Sequence, residues 1–218
     1  MQTQGATVLP ITEMKKENAL NGNSELSITG GADEIKMRQI SHHFSEILKV
    51  LGLDLKDDSL KDTPNRVAKM YVKEIFSGLD PKNRPAVTLF ENRAKYNKMV
   101  IEKNITLYSF CEHHLLPITG KVHVGYISKG KLIGLSKLNR LVQYHASRPQ
   151  VQERLTEEIA ASMKQALQTD DVAVWMEAVH FCVASRGVKD TNSTTVTAHY
   201  SGRFINEGVK NEFLLSLK

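Results

Sequence analysis

Apolar residues recur at helical spacing in the first third of the chain. A first helix is predicted to begin at Asp33 and to stop at Gly52, because glycine commonly follows the last helical turn. A second helix is predicted to open at Thr63-Pro64, with Thr63 as its N-cap and Pro64 at its first position. This helix is expected to end at Ser77-Gly78.

The middle of the chain changes from helical to strand spacing. Residues 99–110 are rich in β-branched and aromatic side chains, which favours a strand. Residues 121–127 alternate, with Val122, Val124 and Tyr126 on one face. A turn at 128–131 then leads into a short strand at 132–135.

Two further helices and two further strands are predicted in the last third. Ser136 is the predicted cap of one helix, and the next helix is predicted to start near Pro149. Strands are predicted at 172–184 and 194–204, and they are expected to close the chain. The order helix, helix, strand, strand, helix, helix, strand, strand is typical of an α+β fold with an antiparallel sheet.

Composition narrows the class of protein. The chain has 218 residues and is 41% hydrophobic and 24% charged, which is ordinary for a globular protein. Its net charge of +5 comes from lysines and arginines scattered among acids, with only 6% aromatic residues. Nucleic-acid binding is therefore not expected, because it calls for a basic stripe with interleaved aromatics.

The N-terminal residues carry no targeting pattern. Residues 1–32 are polar and aperiodic, which predicts a flexible tail ahead of a helical region at 33–95 and a second domain at 96–218. No apolar run is long enough to cross a membrane, and no secretory signal is evident. A cytoplasmic protein with reduced cysteines is expected.

The run Cys111-Glu112-His113-His114 concentrates reactive side chains in one turn. Cys111 and His114 are three residues apart, so a tight turn aims a thiolate and an imidazole at one point. One alternative is a buried thiol beside a capping histidine. A second alternative is a disulfide with Cys182, which a reducing compartment disfavours.

The predicted strand at 172–184 supplies further candidates. Alternation along a strand places His180 and Cys182 on the same face. If Cys182 reaches the turn, then Cys111, His114 and Cys182 form a three-ligand zinc site whose fourth position is left for water, as in catalytic zinc sites. His113 and His180 would then be available for proton transfer.

Basic residues gather at the start of the helix after Ser136. Lys137 and Arg140 are three residues apart on its first turn, and Arg148 and Arg186 lie further along the chain. A helix N-terminus with nearby cations suits an anion such as a polyphosphate. Taken singly, each of these side chains is interpreted as a surface charge; only together do they indicate an anion site.

The dipeptide Gln152-Glu153 opens the following predicted helix, and both side chains are predicted to point away from its apolar face. A carboxylate there can accept two hydrogen bonds from the edge of a guanine, and the amide can add another. The competing interpretation is an acidic residue that favours a helix N-terminus. Arg66 lies on the second predicted helix. Its competing interpretation is that it belongs to a basic face exposed to solvent.

Five separate motifs in this order resemble type I GTP cyclohydrolase. They are DTPNRVAKMY at 62–71, SFCEHHLLP at 109–117, GLSKLNR at 134–140, RPQVQERLT at 148–156 and HFCVASRGV at 180–188. The resemblance runs from about residue 35 to the C-terminus. None of the functional positions named below departs from the family pattern.

This resemblance implies an α+β tunnelling fold: an antiparallel four-stranded sheet with two inserted helices, preceded by an N-terminal helical part. It also implies a homodecamer of two stacked pentamers, in which five sheets close a barrel and the sites lie between subunits. The implied reaction converts GTP and water to 7,8-dihydroneopterin triphosphate and formate with a Zn²⁺ cofactor. It would be the first step of tetrahydrofolate or other pterin biosynthesis.

The family pattern also implies a role for each matching residue. The implied metal ligands are Cys111, His114 and Cys182, and the implied catalytic residues are His113 and His180. The implied substrate contacts are Gln152, Glu153, Ser136, Lys137, Arg140, Arg186 and Arg66. Two roles stay open for Glu112: it contacts the substrate, or it supports the metal ligands.

Two rival functions stay open from the residues alone. A relative with the same fold would act on another purine or pterin and use Cys111 as a nucleophile instead of a ligand. A non-enzymatic rival is a zinc-stabilised nucleotide-binding scaffold. Metal content separates the first rival from the zinc enzyme, and formate release from GTP separates the second.

Overall fold

The computed structural model describes residues 31–218, so the predicted tail at 1–32 lies almost wholly outside the described residues. These residues form two compact units, with the division between Val72 and Lys73. The domain boundary predicted from the sequence near residue 95 stays a prediction. No helix within 31–218 is long and apolar enough to span a membrane.

The first unit holds two helices, α1 (Ala32–Val50) and α2 (Thr63–Met70). The Glu34 carboxylate accepts a hydrogen bond from the Gly31 amide at 3.1 Å, which satisfies one free donor at the start of α1. Gly52 has φ of +79° just beyond the helix end, as predicted for the stop signal.

The second helix differs from the prediction in its cap. Asp62 is the N-cap, and Thr63 is already the first helical residue, with Pro64 next. After Met70 the chain continues through a π-helical turn at Tyr71–Ile75 and short 3₁₀ turns at Ser77–Leu79 and Pro81–Asn83.

The second unit is built on a five-stranded sheet in the order β5-β2-β3-β6-β7. Its strands are β2 (Met99–Cys111), β3 (Pro117–Ile127), β5 (Pro149–Gln150), β6 (Val172–His180) and β7 (Thr195–Tyr200). The four long strands pair antiparallel, and only the short β5 is parallel to β2. The predicted α+β class with an antiparallel sheet is therefore confirmed.

The short strand β1 (Leu89–Glu91) was not predicted from the sequence. It pairs antiparallel in a separate sheet with β4 (Lys131–Ile133), which overlaps the short strand predicted at 132–135. The prediction treated the segment before residue 93 as loop because three residues are too few to show a period.

One face of the large sheet is covered by α3 (Leu135–Ala146) and α4 (Gln152–Leu167). The predicted apolar face of β3, formed by Val122, Val124 and Tyr126, is fully buried there, as alternation requires. The opposite face carries a smaller cluster in which Phe204 and Phe213 pack on Ala173.

The chain ends in a helix and not in a strand. The predicted strand at 194–204 stops at Tyr200, a 3₁₀ turn follows at Gly202–Ile205, and α6 (Glu207–Ser216) ends the fold. The Asn206 side chain caps α6 by accepting hydrogen bonds from the Gly208 and Val209 amides. This Asn cap was visible in the sequence and was missed.

Helix starts in the second unit also need correction. Gly134 is the N-cap of α3, so Ser136 lies inside the first turn and makes no capping hydrogen bond. The next helix begins at Gln152 and not near Pro149, because Pro149 and Gln150 pair with the end of β2.

The helix α3 runs along β2 in the same direction. Asn139 donates to the Glu102 carboxylate at 3.2 Å, and Gln143 donates to the Thr106 carbonyl at 2.6 Å. Near the other end, Ser109 donates to the Ala146 carbonyl at 2.8 Å. The beginning of α3 therefore lies beside the beginning of β2.

Candidate metal centre

The Cys-Glu-His-His run forms the tight turn that joins β2 to β3. The Cys111 carbonyl accepts hydrogen bonds from the amides of His114 and Leu115, at 3.4 and 2.8 Å. The Cys111 amide donates to the Leu116 carbonyl at 2.8 Å, which closes the turn. This compact geometry brings Cys111 and His114 to one side, as their three-residue spacing predicts.

Cys182 reaches this turn by a different route from the one predicted. The strand β6 ends at His180, and residues Phe181–Ala184 form a single helical turn, α5. Strict alternation therefore does not place His180 and Cys182 on one strand face, and Phe181 and Val183 are exposed and not packed in the core. The helical turn carries Cys182 back towards Cys111.

Three ligand atoms converge at this point. The Sγ atoms of Cys111 and Cys182 and a ring nitrogen of His114 all lie within 4.8 Å of one another. Both cysteines are free thiols, so no disulfide joins them. Burial raises the pKa of the Cys182 thiol, and the hydrogen bond and charge of Cys111 raise it further. A bound cation would offset both effects by favouring the thiolates.

The donor set fits zinc. Two thiolates and one imidazole are soft and borderline ligands that suit Zn²⁺ in tetrahedral geometry. Three protein ligands leave one coordination position for water or substrate, which is the pattern of catalytic sites. Residues Cys111, His114 and Cys182 are thus able to hold a metal ion.

Two histidines lie next to these ligands in the sequence, and their environments differ. His113 is exposed, with its Nδ1 3.6 Å from the Cys111 sulfur and its Nε2 3.9 Å from the Glu112 carboxylate. His180 is partly buried, and this burial lowers the pKa of its imidazole, although the charge of Glu153 opposes the shift. Burial of His180 therefore disfavours the charged form of its imidazole.

The two residues of the Gln152-Glu153 pair are placed differently. Glu153 is exposed, as predicted. Gln152 is only 1% exposed, so the prediction that both side chains point away from the core is wrong for Gln152. The Gln152 amide bonds to β6 and β7, and its oxygen lies 2.7 Å from the Nε2 of His180.

Arg154 is a site residue that sequence reasoning missed. Its guanidinium donates to the Glu112 carboxylate and, at 3.0 Å, to the side-chain oxygen of Gln150. The same side chain donates to the Pro149 carbonyl at 3.2 Å. Arg154 therefore fastens the metal-ligand turn to the segment before α4. Its place in the RPQVQERLT motif was the available signal.

The network behind Arg154 continues into the helix layer. The Gln150 amide donates to the Glu158 carboxylate at 3.0 Å, and His145 contacts the same carboxylate at 3.1 Å. Burial alone would raise the pKa of Glu158, but the hydrogen bonds from His145 and Gln150 outweigh it and hold the pKa below its usual range. Arg148 is also near this carboxylate, at 3.6 Å.

The basic residues predicted to bind one anion do not gather in one place. Arg186 contacts His114, with 3.0 Å between Nη1 and Nε2, so it lies beside the metal ligands. Arg148 stacks on Tyr144 and donates to the Gly78 carbonyl, which gives it a structural role.

Within the second unit, the residues predicted at the start of the helix after residue 134 lie away from the candidate metal ligands. Ser136, Lys137 and Arg140 occupy the start of α3, beside the beginning of β2. Glu102, at that end, is nine residues from Cys111, which is about 30 Å of extended strand. Arg66 belongs to the first unit, where it donates to the Ser59 carbonyl at 2.9 Å and to the Thr63 hydroxyl at 3.0 Å.

The fold and this cluster define a class: an α+β protein with a Cys-His-Cys group that could hold a metal ion and with two histidines next to these residues in the sequence. The profile of the family "GTP cyclohydrolase I" matches residues 40–218. Because this match covers most of the chain, the protein belongs to the GTP cyclohydrolase I family.

Similar proteins carry the same family name. A "GTP cyclohydrolase 1" of Flavobacterium johnsoniae is 56% identical over 186 residues, covering 85% of this chain and 83% of the relative. A "GTP cyclohydrolase 1" of Vibrio vulnificus is 53% identical over 186 residues, covering 85% and 86%. A "GTP cyclohydrolase 1" of Haemophilus influenzae is 50% identical over 188 residues, covering 86% of each chain. The family predicted from the five motifs is confirmed.

Proposed function

We propose that this chain is a zinc-dependent cytoplasmic enzyme that converts GTP and water to 7,8-dihydroneopterin triphosphate and formate, the first step towards tetrahydrofolate or other pterins. The observation that carries the proposal is the convergence of Cys111, His114 and Cys182 within 4.8 Å. The histidines beside these ligands, His113 and His180, supply the acid–base groups that opening a purine ring requires.

The proposed metal is held by Cys111, His114 and Cys182. Zinc in such a site lowers the pKa of a bound water to about 7, so a nucleophile is available at neutral pH. Carbon 8 of the purine is the atom that leaves as formate, and it must be attacked by water. Glu112 supports the ligand turn through its contact with Arg154.

The two histidines are proposed to move protons at different steps. His180 is partly buried, and it would deliver a proton to nitrogen 7 of the purine. His113 is exposed next to the ligand turn, and it would donate a proton as the ribose ring opens. Both assignments follow from position and from the ability of imidazole to exchange protons near pH 7.

Glu153 is the proposed reader of the guanine edge. Its carboxylate is exposed at the start of α4, one residue from the Gln152 that contacts His180. A carboxylate can accept hydrogen bonds from N1–H and from the exocyclic amine together, which an adenine edge does not offer.

Within one copy of the chain, the proposed triphosphate contacts lie far from the candidate metal ligands. Ser136, Lys137 and Arg140 lie beside the beginning of β2, whereas the ligand turn lies at its end. We therefore place these three residues in a site shared with a second copy, with Arg186 on the metal side. Arg66 is proposed to enter from a further copy of a homodecamer.

Formate release from GTP tests the function directly. The purified chain loaded with Zn²⁺ is expected to release one formate per GTP and to form a fluorescent pterin after oxidation. His113→Ala and His180→Ala are expected to slow different steps, so one of them accumulates a formylated ring-opened intermediate. Absence of formate from a zinc-loaded, folded preparation would refute the proposal.

Mixed oligomers test the shared site. Cys182→Ser removes a metal ligand, and Arg140→Ala removes a phosphate contact, so each variant alone is expected to be nearly inactive at low GTP. Co-assembly of the two restores complete sites only if each site draws on two copies, and about a quarter of sites then carry both native halves. Activity that stays at the level of the separate variants would contradict the shared site.

A further inference from the structure

The orientation of the Gln152 amide is fixed by its partners. Its Nε2 lies 2.9 Å from the Thr195 carbonyl and 3.1 Å from the Thr197 hydroxyl. A backbone carbonyl only accepts hydrogen bonds, so the atom facing it must be the amide nitrogen. The other end of the amide, Oε1, therefore faces His180 at 2.7 Å.

This orientation also fixes the tautomer of His180. An amide oxygen only accepts hydrogen bonds, so the Nε2 of His180 must carry the proton that is donated to it. In a neutral imidazole the lone pair then resides on Nδ1. Within residues 31–218 no hydrogen bond to this Nδ1 occurs, and the His180 side chain is partly exposed.

Gln152 is itself held in place from several sides. It is 1% exposed, and its backbone carbonyl accepts a hydrogen bond from the Thr156 hydroxyl at 2.9 Å. The Thr156 hydroxyl also lies 2.7 Å from the Thr197 hydroxyl, which joins α4 to β7. Rotating the Gln152 amide towards a ligand would leave buried polar groups unpaired, which is unfavourable.

We propose that Gln152 is a positioning residue that holds His180 in the Nε2–H tautomer, so that Nδ1 is the atom that exchanges protons with the substrate. This inference rests on the proposed function, in which His180 protonates the purine. It assigns Gln152 a role different from the guanine contact that the family motif implies. Recognition of the guanine edge is left to the Glu153 side chain.

The proton balance of this step is simple. Because Nε2 keeps its own proton, a second proton on His180 can be carried only on Nδ1, and it comes from solvent. Nδ1 then gives that proton to nitrogen 7 of the purine, and the ring returns to the same Nε2–H tautomer. The Nε2 proton stays on the hydrogen bond to Gln152 throughout, so the ring keeps its orientation between turnovers.

Gln152→Met is the informative substitution, because methionine has nearly the same length but neither end of the amide. The expected result is a fall in kcat of about 10- to 100-fold, the range in which a misplaced acid–base group acts. KM for GTP and the preference for GTP over ITP are expected to stay within about threefold, since neither depends on the tautomer. Zinc content and the thermal midpoint are measured on the same samples.

A double-mutant cycle distinguishes positioning from an independent role. In a His180→Ala background, Gln152→Met is expected to leave the residual rate of GTP consumption unchanged, because its effect passes through His180. Thr197→Val is the matched control, since it removes one partner of the Gln152 nitrogen and leaves the contact with His180. It is expected to retain kcat within about twofold.

Several results would overturn the inference. They are loss of GTP selectivity with kcat preserved, a full further loss in the His180→Ala background, or an unaltered kcat. If Gln152→Met does not fold, Gln152→Asn replaces it, because asparagine keeps the amide but is too short to reach both Thr195 and His180. Failure of the proposed function is separate, since it shows as no formate release by the wild-type chain.

Discussion

The two ends of β2 carry two different kinds of polar surface. At the metal end, around Cys111, polar side chains are tied together: Glu112 to Arg154, Arg154 to Gln150, and His114 to Arg186. At the basic end, at the start of α3, the side chains of Ser136, Lys137 and Arg140 make no hydrogen bond or ion pair with any of residues 31–218.

The two ends of β2 therefore have different roles in the proposed site. A metal ligand set must be held within tenths of an ångström before the ion arrives, and hydrogen bonds around the ligands supply that rigidity. A triphosphate is a large anion that organises lysine and arginine side chains when it binds. The candidate metal ligands are thus supported by contacts within one chain, whereas the proposed phosphate contacts at the basic end have no such support among residues 31–218.

The largest expected effect comes from Cys182→Ser at the metal end. A serine hydroxyl stays protonated where a thiolate would bind zinc, so metal content is expected to fall to near zero. Formate release is then expected to fall by at least about 1,000-fold, because the lowered pKa of a bound water is lost. Metal analysis and a formate assay on the same sample measure both effects.

Ser185→Ala is the control for Cys182→Ser. The Ser185 hydroxyl only donates to the Phe181 carbonyl in the same turn, so zinc content and rate should be nearly native. A Cys182→Ser protein that keeps one zinc per chain would contradict the three-ligand site.

The second effect concerns the basic end. Arg140→Ala is expected to raise KM for GTP by about 10- to 100-fold, the value of one charged hydrogen bond, with zinc content unchanged. Asn139→Ala is the neighbouring control, because Asn139 faces Glu102 and not the proposed phosphate. Loss of zinc in Arg140→Ala would show that the two ends are not independent.

The third effect tests what the hydrogen bonds at the metal end contribute. Arg154→Met removes the cation that fastens Glu112 and Gln150 together, and the zinc affinity is expected to fall about 10-fold. Competition with a chromophoric chelator measures this affinity. Arg84→Met is the control, since Arg84 pairs with Gln165 on the same helix layer. If the two variants bind zinc with equal affinity, Arg154 does not support the metal ligands.

The smallest effect is on stability at acid pH. The pKa of Glu158 is held below its ordinary value of 4.5 in the folded state. A lowered pKa contributes stability above the unfolded value, and this contribution is lost as pH falls through the folded value. Between pH 6 and 3, wild type is therefore expected to lose about 1 kcal/mol more unfolding free energy than Glu158→Gln.

Chemical denaturation at several pH values measures that difference. Glu212→Gln, on the exposed helix α6, is the control and is expected to follow wild type at every pH. If Glu158→Gln loses stability on acidification as steeply as wild type, then the Glu158 carboxylate is not the group responsible.

Strong periodic patterns predicted most of the fold. The first helix, the long strands β2 and β3 and the paired helices α3 and α4 all follow from apolar spacing, because burial of one face imposes a period. The errors fall where the period is short or broken. The strand β6 stops at His180 and becomes a helical turn, and a simple alternation of side chains cannot register that change.

The candidate site shows the same division. The ligand types and the spacing of Cys111 and His114 were readable from the sequence, because three residues on a tight turn set their own geometry. Arg154 and the burial of Gln152 were not, because both depend on which elements meet. The register of β6 and β7 places Met176 opposite Thr197, so the side chain of Gln152, at the start of α4, bonds to both strands.

The sequence by itself determined the family, the α+β class and the residue types of the metal centre, since local spacing and five motifs carry that information. Only the tertiary structure decided that Cys182 arrives on a helical turn, that Gln152 faces His180 and that the basic end lies far from the metal end. The physical reason is that hydrogen-bond direction and strand register are non-local. They arise when distant segments compete to satisfy the same buried polar groups.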